Sequence, residues 1–91
     1  MGKVCTKFVV HGFVQGVGYR YFAYKSAQKY NIVGYAKNLL DGTVEVVAKG
    51  DKDKVDLFKL ELMRSPVRSR VDRITEEECT IDKEFDSFNV I

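Results

Sequence analysis

A chain of 91 residues has room for one domain, spanning 1–91. With 45% apolar and 31% charged residues it has the balance of a globular protein rather than a disordered one. A net charge of +2, spread over scattered basic residues and answered by acids such as Glu76, Glu77 and Glu78, argues against a dedicated nucleic-acid binder. The acidic triplet itself reads as a solvated face.

In chain order, Val4 to Val10 alternates and is rich in β-branched and aromatic residues, so it predicts a strand. It leads into His11-Gly12-Phe13-Val14-Gln15-Gly16-Val17-Gly18, whose glycines preclude a regular helix. From Tyr19 or Arg20 to Tyr30 the period becomes helical, with Phe22, Ala23, Ala27 and Tyr30 on one face. Asn31 is a suitable stop, and Gly34 a further break.

Tyr35 to Leu40 and Thr43 to Ala48 read as two strands joined by Asp41-Gly42, a pair that predicts a tight type I′ hairpin. Asp51 or Asp53 then caps a second helix over about Lys54 to Arg64, with Val55, Phe58 and Leu62 as its buried stripe. Leu57 and Leu60 fall off that stripe. Pro66 ends the helix. Arg70 to Thr75 or beyond predicts a fourth strand, and Phe85 to Ile91 a short fifth. The fold class is therefore α+β: a ferredoxin-like split βαββαβ sandwich, an antiparallel sheet with two helices on one face. No apolar run approaches the roughly 20 residues of a membrane helix, and Met1 to Phe8 lacks a signal-peptide core. A cytoplasmic protein without membrane contact is expected.

Two places carry polar residues suited to chemistry. Between Gly12 and Arg20 a glycine-rich loop leaves a strand and enters a helix. Glycines let successive amides turn inward, and the helix start adds partial positive charge, so the segment suits a phosphate-sized anion. Arg20 stands where loop becomes helix and can close over the same anion with its planar fork. An ordinary tight connection would use the same glycines. Asn38 lies near the end of the second strand, where an asparagine is commonly a local turn residue. Neither nucleotide-loop pattern is present.

The cysteines, Cys5 and Cys79, can make at most one bridge; free thiols are the expected state in a reducing cytosol, while a fourth strand antiparallel beside the first would bring Cys5 within reach of Cys79 and leaves a bridge open. With one histidine they are too few for a structural zinc site, and no residue cluster has the spacing of a catalytic metal centre. Cys5 and His11 do not form a thiol–imidazole pair: on one extended strand they stand about 20 Å apart. His11 reads as a structural residue flanking the loop. An RNA-recognition module would share the fold plan, but Thr43 to Ala48 lacks the stacking aromatics that such a module carries. A catalytically idle phosphate sensor is the other rival.

The two polar places belong to longer motifs. Val10-His11-Gly12-Phe13-Val14-Gln15-Gly16-Val17-Gly18-Tyr19-Arg20 closely resembles the first signature of the acylphosphatase family, and Gly34-Tyr35-Ala36-Lys37-Asn38-Leu39-Leu40-Asp41-Gly42-Thr43-Val44-Glu45 resembles its second. The resemblance is to small common-type members and covers nearly the whole chain, including Ser65-Pro66 and Phe88. Departures at Tyr19, Tyr35 and Ser65, where members often carry Phe, Trp and Gly, fall at positions that look structural.

The resemblance implies hydrolysis of the carboxyl–phosphate bond of acyl phosphates. The amides of Gln15, Gly16, Val17, Gly18, Tyr19 and Arg20 would cradle the phosphate. The Arg20 side chain would add fixed charge, and the Asn38 amide would orient water for in-line attack. It implies no metal, no cofactor and no phosphoenzyme. A small-molecule acyl phosphate would be the substrate, with inorganic phosphate as product and competitive inhibitor. A monomer is the expected state.

Overall fold

A computed structural model describes residues 2–66, 68–80 and 85–91. The first strand, β1 (Lys3–Phe13), lies inside the sheet and pairs antiparallel with two neighbours. Phe8 and Val10 point into the core, as the two-residue alternation requires. Near its end the ladder to the outer neighbour slips between His11 and Gly12, a bulge that bends the chain where the glycine loop begins.

Helix α1 (Tyr19–Lys29) buries Tyr19, Ala23, Ser26 and Ala27. Ala23 and Ala27 are the predicted contacts; Phe22 and Tyr30 pack at the rim of the core. The helix ends at Tyr30, whose N–H donates to Ala27 O; Asn31, with a φ of 56°, follows and donates its own N–H to Gln28 O.

Strand β2 is Val33–Asn38, shifted two residues toward the N-terminus from the expected Tyr35 to Leu40. Gly34 does not break it. The residue lies within the ladder opposite Ala48, where a Cβ would stand 1.9 Å from Val47 O. The hairpin to β3 (Val44–Asp51) also differs from the expected I′ turn. Gly42 N–H donates to Leu39 O and Leu39 N–H donates to Thr43 O, enclosing a three-residue loop. Only Gly42, at 93°, has a positive φ within it. A turn of ordinary hand followed by a left-handed glycine matches the strand twist equally well.

Helix α2 (Lys52–Arg64) starts earlier than expected, directly after Asp51, whose extended backbone makes it the N-cap residue. Its stripe is Val55, Phe58 and Leu62, all buried; Leu57 and Leu60 are exposed. Strand β4 (Arg70–Glu78) is an edge strand, exposed along most of its length. Its charges, Glu76 to Glu78 among them, guard that edge against pairing with another chain.

Strand β5 (Phe88–Val90) completes the order β4-β1-β3-β2-β5 and runs parallel to β2. The sheet is therefore mixed, not wholly antiparallel: the four main strands pair antiparallel, and the fifth reaches the far edge alongside β2. Both helices pack against this sheet in the ferredoxin-like arrangement. Their inner faces meet Phe8, Val10, Ala36, Val44, Val46 and Phe88 in one core.

Cys5 and Cys79 are joined by a disulfide, in place of the expected free thiols. Antiparallel pairing of β1 with β4 brings their Cα atoms to 5.2 Å, and Cys79 N–H donates to Cys5 O. That separation lies within the range a disulfide spans without backbone movement.

Candidate active site

The site is assembled where the end of β1, the start of α1, the end of β2 and the last residues of the chain meet. Val14 is buried and anchors the loop, while Gly16 and Gly18 are exposed with φ of 75° and 80°. Left-handed backbone at both positions, alternating with Val17, turns the intervening amides in a way that only glycine does cheaply. Among the described residues, no main-chain carbonyl takes a hydrogen bond from the amides of Gln15 to Gly18. Gly18 is the N-cap of α1 and offers no side-chain cap, so the first amides of the helix have no intrahelical partner either. A shallow cavity of about 150 Å³ lies here, lined by Gly16, Gly18, Arg20, Tyr21 and Val90 among others.

Tyr19 faces away from this opening. Its ring is 1% exposed and its hydroxyl donates to Leu62 O at 2.7 Å, tying the start of α1 to the end of α2. Burial pushes its phenol pKa up, so the hydroxyl remains a donor throughout the neutral range.

Arg20, one residue on, is half-buried. Its Nη1 donates to the main-chain oxygen of Ile91 at 2.5 Å, and Ile91 N–H donates to Ala36 O on β2. The guanidinium is thus moored to β2 through the residue that follows β5.

Asn38 shares the parity of Gly34 and Ala36, so it belongs to the core-facing side of β2 at the strand's end, opposite Val44. Its Oδ1 is buried and accepts no hydrogen bond from any described residue. A buried carbonyl oxygen without a donor is costly, so this oxygen favours a donor such as a water at the strand's end. The neighbouring loop is closed by Asp41 Oδ1, which accepts from Thr43 Oγ1 at 2.6 Å and Thr43 N–H at 3.0 Å. These two bonds, with His11 nearby, hold the Asp41 carboxyl below its ordinary range.

The structure therefore brings the loop 15–20, Arg20 and Asn38 to one end of the sheet. His11 stays on β1 opposite Arg73, a sheet residue beside the loop. Among the described residues no group of three or more His, Cys, Asp or Glu side chains is placed to hold a metal ion.

Two features were not foreseen. The Gln15 side chain, read only for its main-chain amide, donates from Nε2 to Leu39 O at 2.8 Å and to Thr43 O at 2.9 Å. Its one sequence signal is a long amide side chain in a loop otherwise built of glycine and apolar residues. The Ile91 contact of Arg20 carries no local signal, because 71 residues separate the two.

A family model for acylphosphatase matches residues 6–90. The chain belongs to the acylphosphatase family. It is 46% identical over 87 residues to an acylphosphatase of Vibrio vulnificus, covering 96% of each chain. The crystal structure of acylphosphatase from Bacillus subtilis superposes with a TM-score of 0.92 at 31% identity, covering 97% of this chain and 98% of that one. An acylphosphatase from Coxiella burnetii gives 0.91, also at 31% identity, with 98% and 93% covered. Membership in this family supports acyl-phosphate hydrolysis, and the likeness to its solved members extends over the whole sheet and both helices.

Proposed function

We propose that this chain is a metal-independent acylphosphatase in which the loop amides of Gln15 to Arg20 and the Arg20 guanidinium hold the phosphate, while Asn38 places the attacking water. The observation that carries the reading is the buried Oδ1 of Asn38 at the end of β2, which accepts from no described residue, beside a loop whose Gln15 to Gly18 amides have no main-chain acceptor among the described residues. A side-chain amide both accepts and donates, so it can fix a water's orientation as well as its position.

The reaction needs little more. The water oxygen attacks phosphorus in line with the acyl oxygen, and the bond from phosphorus to that oxygen breaks. The carboxylate departs with the electron pair, and a phosphoryl oxygen takes the water's proton, leaving inorganic phosphate. A carboxylate is a weak base and leaves without a protonating acid, so neither a histidine nor a raised-pKa carboxyl is required. Catalysis is then positioning together with stabilisation of charge on the phosphoryl oxygens, which amides and a guanidinium supply.

In this reading the phosphate-binding loop is the recognition element, the substrate is a small acyl phosphate, and inorganic phosphate competes for the same nest. The enzyme acts as a single-domain monomer in the cytoplasm, without cofactor, nucleic acid or membrane. Because cytosolic thiols are kept reduced, that setting requires the fold to stand without the Cys5–Cys79 bond.

The test is hydrolysis of a simple acyl phosphate in excess EDTA, with Asn38→Ala as its control. Wild-type activity persists in the chelator, and folded Asn38→Ala loses about 10²-fold in kcat, the scale of one oriented hydrogen-bonding group, with phosphate inhibition little changed. Loss of activity in EDTA restored by magnesium or zinc, or a folded Asn38→Ala with near-normal kcat, overturns the mechanism.

A further inference from the structure

We infer that the Gln15 side chain is a positioning residue: it clamps the turn after Asn38 to the phosphate loop and so sets the attacking water's distance from the bound phosphate. The inference rests on the water-holding role proposed for Asn38 and adds a residue that acts through it.

Both hydrogens of Gln15 Nε2 are committed to main-chain oxygens on a different element, Leu39 O and Thr43 O. These residues form the neck of the β2–β3 hairpin. The peptide that joins Asn38 to Leu39 is held by Leu39 N–H to Thr43 O, and the Leu39 carbonyl already accepts from Gly42 N–H. Gln15 binds the second acceptor site on each oxygen and leaves the neck little freedom. The hairpin's tip has its own lock, the Asp41–Thr43 pair, and does not depend on Gln15 for closure.

What Gln15 adds is a cross-link of two bonds between segments 24 and 28 residues apart in sequence. On one side it springs from between buried Val14 and left-handed Gly16, the start of the anion cradle. On the other it grips the residue directly after Asn38. A nucleophile held by one segment and an electrophile held by another react well only when the segments are fixed relative to each other. A misplacement of about 1 Å costs on the order of 10²-fold.

Gln15→Met removes both donors at similar length. Gln15→Glu keeps the shape and sets a carboxylate against two carbonyl oxygens. Each variant is made alone and in the Asn38→Ala background, with kcat, KM and the inhibition constant of inorganic phosphate measured for an acyl phosphate, alongside thermal melts. The expected result is a fall of about 10-fold or more in kcat for both variants, with phosphate inhibition within about 3-fold of wild type. Combined with Asn38→Ala, neither variant lowers kcat further, because the group it positions is gone.

Near-wild-type kcat overturns the proposal. So does a full additional loss in the Asn38→Ala background, or weakening of phosphate inhibition in step with kcat, which would assign Gln15 to the anion cradle. Variants that do not fold overturn it as well, by making Gln15 a residue of the global fold. A folded Asn38→Ala that retains kcat instead refutes the water-holding role itself, a separate outcome read from the single variant.

Discussion

Arg20 and Tyr19 are adjacent in sequence and opposite in purpose. The guanidinium carries five donors, of which Ile91 occupies one, so a planar fork remains for an anion. In the phosphate-holding role proposed for Arg20, the ligand is charged before and during reaction, so Arg20→Ala is expected to raise KM and lower kcat together. Hydrogen bonds to charged groups contribute about 1.5–3 kcal/mol, a loss of roughly 10- to 100-fold in kcat/KM. Lysine rescues poorly because it keeps charge without the fork. Steady-state kinetics with an acyl phosphate check this, and full rescue by Arg20→Lys would show that charge alone suffices. Tyr19→Phe tests the other direction. Its hydroxyl satisfies the buried Leu62 carbonyl at the end of α2, so its removal costs about 1–3 kcal/mol. For a domain of this size that lowers Tm by about 4–8 °C per kcal/mol. An unchanged melting temperature would mean that Leu62 O finds another donor. The sequence marks Arg20 for an anion and Tyr19 as structural but names the partner of neither; the turn of about 100° between them sends one side chain to the core, where it meets Leu62 O, and the other to the opening.

At the scale of elements, the glycines separate into two kinds. Gly34 has a φ of 142° and a Cβ there would meet the Val47 carbonyl oxygen, so Gly34→Ala forces β2 away from β3 and disturbs Asn38 four residues on. The expected cost is at least about 2 kcal/mol, read as a lower urea midpoint. Gly16 also has positive φ, but a Cβ would meet nothing within 4 Å. Gly16→Ala therefore costs only the left-handed backbone energy, about 1–2 kcal/mol. Equal destabilisation by the two substitutions would refute the distinction. The sequence punctuates both places alike: Gly34 reads as a break because its reason for being glycine is the backbone of a strand that joins the sheet later. The hairpin type was hidden for a similar reason, since Asp41-Gly42 serves either a two-residue loop or a three-residue one.

At the scale of the molecule, the Cys5–Cys79 bond closes a loop between residues 74 apart in sequence. In the chain-entropy model such a cross-link stabilises by about 3–5 kcal/mol. Protein unfolded without reductant should therefore show no reactive thiol, and reduction should move the urea midpoint down while leaving a folded chain. The bond joins the start of β1 to the end of β4, at the opposite end of the sheet from the glycine loop. Reduced, folded protein should accordingly hydrolyse acyl phosphate at the oxidised rate. Two thiols in the unreduced protein would show that the pair stays open.

Local pattern determined the element order, the buried stripe of α2, the strand character of β1 and β3, and the two motifs that hold Arg20 and Asn38. Each depends on side-chain period or on residues close in sequence, which the chain displays without folding. Tertiary structure alone decided the rest. Parallel pairing of β5 with β2 carries Ile91 to Arg20. The pairing of β1 with β4 joins Cys5 to Cys79. The approach of the first loop to the β2–β3 neck gives the Gln15 side chain its two acceptors. All three link residues at least 24 apart in sequence, and a contact of that range exists only after the sheet has closed and fixed which ends of its strands lie together.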